Sequence, residues 1–591
     1  MSISAVLFRR PVVLVAYTLL AIAMFANVWS APASHWIGVD GDPDSTIWSI
    51  AWSAYSLTHL LNPFLTNWVF YPSGTDVLWA NADAPIALGW AATPVTLLFG
   101  PIVAYNVLQT LCLSLSAFVA YLAFARLVTR PATAFAGGLV YGFGPYMLGQ
   151  AYGHMGLNFG VLPPLIFILV HGLLVRRDIA PWLAGAVAGF ALAFQFLVSL
   201  EVAATVVIVT AVAVAWLAVT AFVLARRAVA WRALTIRALY AAAVAVPVFL
   251  VLAGYPLYLI FRGPVRITHT PVRAFGFYAT DIYNVLIPVG TTHLVRNGWT
   301  ETISKNFPGS PVESGGYLGV VLVLVLLYTA LRWARVPAVL FAAGAGALTF
   351  LITLGPHLVH DGHFSTHVPL PWLLANNVPV LDDILVDRMS LYVDLFAGLM
   401  LALFLDLSWE LPGVRWRAGA AVAAALSLLM LAPALPWASS TAHVPDLFQP
   451  GTLANRELHA AAPDGSVAVI LPAQLMQKDH GYSMLWQATD GMRFKMPVGD
   501  LVHGDSRGYA TSDPAPSALW TAIKALTNDQ APPATPADLA AARADLADWG
   551  VRAVVAGPMP DLDLVEQYFD ALLGHPPVRT GGVLLWTLAS P

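Results

Sequence analysis

The chain has 591 residues, 58% of them hydrophobic and only 10% charged, with a mean hydropathy of +0.71. A soluble globular domain carries about a quarter charged residues, so this composition excludes an ordinary soluble protein and indicates a polytopic membrane protein. The formal net charge of −4 gives no basic footprint for nucleic acid, and the single cysteine, Cys112, excludes an intrachain disulfide.

Runs of about 20 apolar residues cross a bilayer as helices, and Lys and Arg collect on its cytoplasmic side. Arginines punctuate this chain at Arg9/Arg10, Arg126/Arg130, Arg176/Arg177, Arg226/Arg227 with Arg232 and Arg237, Arg332/Arg335, and Arg415/Arg417. Placing all of these inside predicts about 11 spans, near 11–30, 102–125, 132–150, 157–175, 180–200, 202–224, 239–260, 316–331, 336–355, 389–409 and 418–437. The first run reads as a retained helix rather than a cleaved signal peptide, because Trp29 and Trp36 mark its far end as interfacial anchors. The N-terminus is then cytoplasmic, the C-terminal region extracytoplasmic, and the whole a multi-pass plasma (inner) membrane protein.

Residues 85–100 (PIALGWAATPVTLLFG) are apolar but hold Pro85, Pro94 and two glycines. Counting them as a span would place Arg126 and Arg130 outside, so they are predicted to be re-entrant or interfacial. Before residue 440 most acids fall in three long outer loops, 31–84, 261–315 and 356–388; Asp178 is the main inner exception. Function is therefore expected at the outer membrane face.

From about residue 440 charged residues, Gly and Pro rise. "SVAVILPA" (466–473) reads as a buried strand, "PADLAAARADLADWG" (536–550) as a helix, and "VRAVVAGP" (551–558) and "GVLLWTLA" (582–589) as strands. The expected organisation is a membrane domain over 1–439 and an extracytoplasmic α/β domain over 440–591.

The stretch "VDGDPDSTIW" (39–48) crowds Asp40, Asp42 and Asp44 just after the first apolar run. Helix capping accounts for two of them: Asp42 as cap, Pro43 at the first helical position, and Asp44 at the positive helix end. The helix that follows is expected to be amphipathic and to lie in the interface plane, with Ile47, Ile50, Ala51, Ala54, Leu57 and Leu61 on one face. Capping does not account for Asp40. A carboxylate at the mouth of a bundle can act as general base toward a sugar hydroxyl, or hold a divalent cation such as Mg or Mn.

This loop continues into "NPFLTNWVFYPSGTDVLWAN" (62–81) and "GPIVAYNVLQTLCLSLSAFVAYLAFARLVT" (100–129). The order resembles the integral-membrane GT-C superfamily of glycosyltransferases, and the tail pieces "PDGSVAVILP" (463–472) and "WGVRAVVAG" (549–557) fit it. The clearest motifs lie in 38–155. The resemblance implies a GT-C-like polytopic α-helical membrane bundle with a C-terminal α/β extracytoplasmic domain. It also implies inverting transfer of a sugar from a polyprenyl-phosphate donor to a cell-envelope glycan, lipid or protein acceptor. An acid of the first outer loop serves such enzymes as base, a role carried to Asp40 first and Asp42 next. Here Gly41 separates the two, where the resembling pattern has adjacent acids.

Arg388 opens the tenth predicted span from outside, where paired N–H donors suit a lipid phosphate; a salt bridge to Asp387, Asp383 or a headgroup is the alternative. Arg262, Arg266 and Arg273 form a second outer basic stretch for the same anion. His154 in "GQAYGHMGLNFG" (149–160) suits phosphate or acceptor, or is merely packed. Glu201, a lone acid in "FLVSLEVAAT" (196–205), is costly in so apolar a setting unless paired or wetted. Glu313 in "SPVESGGYLG" (310–319) could touch substrate or metal, a solvated loop acid being the plainer reading. His480 in "QKDHGYSMLWQ" (477–487), with Gln477, resembles the "Q..HG" element of such tails. No phosphate-loop, CxxC or HExxH pattern occurs. The alternative function is a transporter or flippase of lipid-linked saccharides; Asp394 and Asp406 in the tenth span are the acids a coupled carrier would need. A non-catalytic scaffold is a third.

Overall fold

The computed structural model describes residues 10–39, 41–79, 84–225, 230–292, 297–475 and 481–588. The chain divides into two compact units: Met1–Ser30 with Gln109–Gly254 and Thr270–Ala438, and Ala31–Leu108 with Tyr255–His269 and Ser439–Pro591.

The first unit is helical. Among the described residues five helices of the chain are long and apolar enough to cross a membrane: Pro101–Phe124, Met155–Val175, Leu200–Val223, Trp231–Arg262 and Val386–Glu410. Shorter apolar helices, Arg10–Met24, Pro181–Phe196, Val320–Arg332 and Pro337–Thr353, occupy four more of the predicted runs. Val414–Met430 fills another. The predicted 132–150 span is two helices, Pro131–Gly142 and Pro145–Gln150, because Gly144-Pro145 interrupts the hydrogen-bond ladder.

The Ser390–Glu410 helix is the axis of this unit and is buried along nearly its whole length. It packs on Pro131–Gly142, Pro337–Thr353, Val414–Met430 and Val320–Arg332. Backbones meet where it crosses Pro131–Gly142: a Cβ on Gly137 would lie 2.5 Å from the Gly398 carbonyl oxygen, and one on Gly398 2.5 Å from that of Gly137. Small residues permit such crossings between membrane helices. Gly398→Ala is therefore expected to destabilise the protein. Overpacking costs about 1–3 kcal/mol, and a backbone carbonyl cannot rotate away as a side chain could. The roughly 1 kcal/mol of helix propensity gained offsets only part of this. Thermal melting in detergent reads the difference.

Two of the three acids of this helix, Asp394 and Asp406, meet helix starts. Asp406 accepts from the backbone N–H groups of Thr129 and Arg130, both at 3.0 Å, and pairs with the Arg130 guanidinium at 3.2 Å. Asp394 accepts from the backbone N–H of Tyr146. The Pro131 and Pro145 helices thus have their orphan donors met by carboxylates of a third helix.

The second unit contains a four-stranded sheet in the order Val578–Thr580, Val583–Thr587, Val551–Ala556, Val467–Leu471. Val467–Leu471 and Val551–Ala556 are parallel, the other pairs antiparallel. The parallel pair needs a crossover, which carries the Ala518–Thr527 and Pro536–Asp548 helices. Thr535 and Asp538 close a capping box on the second of these, with Pro536 in its first turn. Leu519, Ile523, Leu526, Val565, Phe569 and Trp586 fill the core. All three predicted strands and the predicted helix are present; the Val578–Thr580 edge strand and the Leu562–Leu573 helix are additional.

The same unit holds the Asp42–Thr58 helix. It is buried on almost every side, which corrects the expected interfacial amphipathic helix. Its polar face is serine, and these hydroxyls bond inward: Ser53 Oγ to the Ser49 carbonyl at 2.7 Å and Ser56 Oγ to that of Ser53 at 3.2 Å. Residues 85–100 fold as two short helices, Ile86–Ala91 and Thr93–Phe99, against it. At 1.5 Å rise per residue neither reaches across a bilayer.

Candidate functional site

The approach to the acidic stretch is fixed by two residues of "VAYNVL". Asn106 Oδ1 accepts from the Ile37 N–H at 3.0 Å, its Nδ2 donates to the Pro32 and His35 carbonyls at 3.0 and 2.7 Å, and Tyr105 Oη donates to the Ile37 carbonyl at 3.0 Å. Strand His35–Ile37 also pairs with Ser439–Thr441. The chain then turns through Gly38 and Gly41, whose φ angles of 113° and 111° favour glycine.

Gly41, not Asp42, is the N-cap, so Asp42 and Asp44 are both in the first helical turn. Both carboxylates sit at the positive end of the helix. Asp42 is exposed and Asp44 buried. Asp40 lies outside the described residues.

A residue of the tail reaches this turn. Ser45 Oγ donates to the Asp500 carbonyl at 3.3 Å, and Gln474 Nε2 donates to Ser45 Oγ at 3.1 Å. The half-buried Asp500 carboxyl is pushed up to about 7, first by burial and then by the charges of Asp42 and Asp513. Asp513 is itself paired with Lys524 at 2.6 Å. Three residues on from Asp500, the His503–Gly504 strand holds the segment carrying Arg266: Gly504 N–H donates to the Val265 carbonyl at 3.0 Å, and Thr268 N–H to that of Gly508 at 2.8 Å. Hairpin 503–511 thus ties the Arg262–Arg266 stretch into the loop cluster that contacts the first helical turn. Arg262 ends the Trp231–Arg262 helix, and both arginines are exposed with no ion-pair partner among the described residues.

Asp500 makes stability depend on pH. A carboxyl whose folded pKa exceeds its unfolded value near 4 holds its proton more tightly in the fold. Its contribution is complete below pH 4 and is lost as pH rises through 7. Asp76 and Asp490, both pushed up to about 6 chiefly by burial, act in the same sense. The melting temperature is expected to fall between about pH 4 and 7, and Asp500→Asn to remove the part of the slope nearest 7.

The first unit collects a second cluster. Arg388 Nε donates to Glu313 at 2.9 Å, its Nη2 to the other oxygen of Glu313, and its Nη1 to Glu201 at 2.5 Å. Glu201 also accepts from the Leu385 N–H at 2.9 Å. His154 Nδ1 lies 3.8 Å from Glu313 and 2.8 Å from Gln150 Oε1, and Gln150 Nε2 donates to the Val312 carbonyl at 3.0 Å. The side chains of Arg388, Glu201 and Glu313 are each less than 10% exposed. Burial alone would raise the Glu313 carboxyl; the charge and hydrogen bonds of Arg388 outweigh it and hold it below the ordinary range.

The structure therefore gathers Arg388, Glu201, Glu313 and His154 in one place. Glu313 is buried and ion-paired, which corrects the solvated-loop reading. Arg388 pairs with the two glutamates, not with the neighbouring acids expected for a salt bridge. Each of its nitrogens already donates to a carboxylate. Arg273 stands close enough for its charge to help lower the Glu313 carboxyl, and its guanidinium lies 5.6 Å from the Tyr278 ring centre. His480 and Gln477 lie outside the described residues. Sequence reasoning missed Asp500, Gln474 and Asn106. The acid-rich "GDLVHGD" (499–505) is the only signal that marks the first; Gln474 and Asn106 carry none. Among the described residues no group of three or more His, Cys, Asp or Glu is placed to hold a metal ion.

No family model matches the chain, and no curated protein does. It is similar to solved structures of an arabinofuranosyltransferase and an oligosaccharyltransferase. The first, AftD from Mycobacteria, is 15% identical with a TM-score of 0.49, over 98% of this chain and 41% of that one. The chain thus spans about two fifths of that protein's length. The second, from Archaeoglobus fulgidus in complex with Zn and sulfate, is 11% identical with a TM-score of 0.46, over 95% of this chain and 69% of that one. ArnT from Cupriavidus metallidurans bound to undecaprenyl phosphate is 11% identical with a TM-score of 0.43, over 97% of each chain.

Proposed function

We propose that the chain is a membrane glycosyltransferase of the GT-C type, moving a sugar from a polyprenyl-phosphate donor to a cell-envelope glycan, lipid or protein acceptor. The observation that supports it is the first turn of the Asp42–Thr58 helix. It lies in the stretch that carries the family resemblance, and it presents an exposed carboxylate, Asp42, with the half-buried Asp500 carboxyl near enough to be shifted by its charge.

In this mechanism Asp42 or Asp40 takes the proton of the acceptor hydroxyl. The hydroxyl oxygen attacks the anomeric carbon from the side opposite the phosphate, the bond to phosphate oxygen breaks, and polyprenyl phosphate leaves with inversion. Arg262 and Arg266 face the charge developing on the leaving phosphate, where fixed cations lower the barrier. Arg388 holds Glu201 and Glu313. A Mg or Mn ion remains part of the proposal only through Asp40 and Asp42, and no step is routed through it. The topology completes the reading: about 11 spans, a cytoplasmic N-terminus, and residues 440–591 on the extracytoplasmic side of the inner membrane. Of the two acids a coupled carrier would use, Asp406 accepts from Thr129 and Arg130, and Asp394 accepts from the Tyr146 N–H.

The test is the full chain in nanodiscs with radiolabelled polyprenyl-phosphate sugars and a panel of envelope-glycan acceptors. Label moving from lipid to acceptor is the expected result. Label moving across the bilayer unchanged, with no new bond, would replace this reading with transport.

A further inference from the structure

Three helices of the first unit leave an open groove. Val320–Arg332 and Val414–Met430 pack on Ser390–Glu410 and on each other. Toward the Glu410 end they part around a space of about 310 Å³, lined by Leu324 and Tyr328 of the first, Trp416 and Gly419 of the second, and Phe404 and Ser408 of the third. A missing side chain helps to keep it open: a Cβ on Gly419 would meet nothing within 4 Å. Leu324, Tyr328 and Trp416 are exposed there.

Arginines collect at the same end. Arg332 lies one turn beyond Tyr328 on the same helix face. Its guanidinium is 5.6 Å from the Trp333 ring centre, and that ring stands 5.8 Å from Tyr328 and 6.4 Å from Phe404. Arg415 and Arg417 flank Trp416 in the first turn of Val414–Met430, the positive end of that helix. The two acids nearest in sequence, Asp406 and Glu410, are both held by Arg130, at 3.2 and 2.6 Å. Arg332, Arg415 and Arg417 are exposed, with no ion-pair partner among the described residues.

We propose that this groove is a binding site for one anionic phospholipid, with an acyl chain against Tyr328, Phe404 and Trp416 and its phosphate on Arg332, Arg415 and Arg417. A guanidinium offers paired N–H donors to a phosphate, and its stem lies along apolar surface while the head reaches the interface. Basic pockets between membrane helices take lipid headgroups in this way. A zwitterionic lipid offers the same chains but brings a cation to three guanidinium groups. The occupant is a lipid of the bilayer rather than the glycosyl donor, for a reason of depth. The 21 residues of Ser390–Glu410 rise about 30 Å, the thickness of a bilayer's hydrocarbon core. The groove, at the Glu410 end, therefore lies in the leaflet opposite the one beside Arg388. The arginine-rich end is the cytoplasmic one. Only that choice of leaflet rests on the topology proposed above; the site itself does not need the glycosyltransferase reading.

Native mass spectrometry of the full chain, delipidated in detergent and titrated with phosphatidylglycerol, phosphatidylcholine or undecaprenyl phosphate, tests this. The wild type is expected to retain one phosphatidylglycerol at least tenfold more tightly than phosphatidylcholine. The triple variant Arg332→Gln with Arg415→Gln and Arg417→Gln should lose that preference. Gly419→Phe fills the groove and keeps every charge; it should weaken phosphatidylglycerol binding at least tenfold. Added phosphatidylglycerol should raise the melting temperature of the wild type, because a ligand that binds only the folded state stabilises it, and should leave that of Gly419→Phe unmoved. If the triple variant fails to insert, Gly419→Phe carries the test, since its new side chain enters open space. Equal retention of phosphatidylglycerol and phosphatidylcholine by the wild type would overturn the site and leave the arginines as topology signals. Phosphatidylglycerol binding unchanged in Gly419→Phe would also overturn it, by placing the lipid elsewhere. Undecaprenyl phosphate that displaces phosphatidylglycerol at lower concentration would overturn the choice of occupant and give the groove to the carrier lipid. None of these readouts is sugar transfer, so failure here leaves the proposed reaction standing.

Discussion

Arg388→Met is expected to leave most of the protein unfolded or unrecoverable in detergent. The guanidinium is buried between Glu201 and Glu313, donating to both, and each glutamate side chain is also under 10% exposed. Removing one partner of a buried ionic group leaves charge with no compensation, at a cost of about 3–5 kcal/mol. Two carboxylates are stranded here, so the upper end applies, against a typical total stability of about 5–15 kcal/mol. Arg388→Lys should fare little better, because a single ammonium cannot span two carboxylates with the fork that a guanidinium presents. The triple variant Arg388→Met with Glu201→Gln and Glu313→Gln should recover much of the loss, since it carries no stranded charge. Thermal melting and size-exclusion profiles of the single and triple variants check this. A single Arg388→Met variant that melts like the wild type would show that the cluster is not what holds these three segments together.

Asp42→Asn or Asp40→Asn is expected to reduce sugar transfer by about three orders of magnitude, the scale of a lost general base. Asparagine keeps the size and the helix-start preference of aspartate, so the fold should survive at either position. The structure separates the two acids in one respect. Asp42 is exposed in the first turn of a rigid, buried helix, while its partner by sequence, Asp44, is buried in the same turn. A base must reach substrate, and Asp42 can. If Asp42→Asn transfers normally and Asp40→Asn does not, the loop acid is the base, and Asp42 serves the helix end alone.

Much of the helical unit was legible because apolar length is a local property. Every predicted run carries helix, and the proline- and glycine-broken 85–100 segment folds as two short helices. What failed was local reasoning about polar residues. The serines of the Asp42–Thr58 helix look like a wet face by periodicity. Ser53 and Ser56 return their hydroxyls to carbonyls of their own helix, and Ser45 donates to the Asp500 carbonyl. Glu313 looks solvated because its partner, Arg388, lies 75 residues away, and Glu201 lies 187 residues from the same arginine. Pattern within a window cannot find such pairs; charge in an apolar setting can only announce that a partner must exist, as it did for Glu201. Asp500 and Gln474 were missed for the same reason. They meet the acidic stretch 455 and 429 residues along the chain from Ser45, and nothing near them in sequence names that destination.

The most direct measurement is release of polyprenyl phosphate from a polyprenyl-phosphate sugar, dependent on added acceptor, by the wild type and by Asp40→Asn and Asp42→Asn side by side in nanodiscs. The account predicts acceptor-dependent release by the wild type and its near-complete loss in at least one of the two folded variants. Release that persists at wild-type rates in both would contradict it, and would return this stretch to a helix start at the membrane surface.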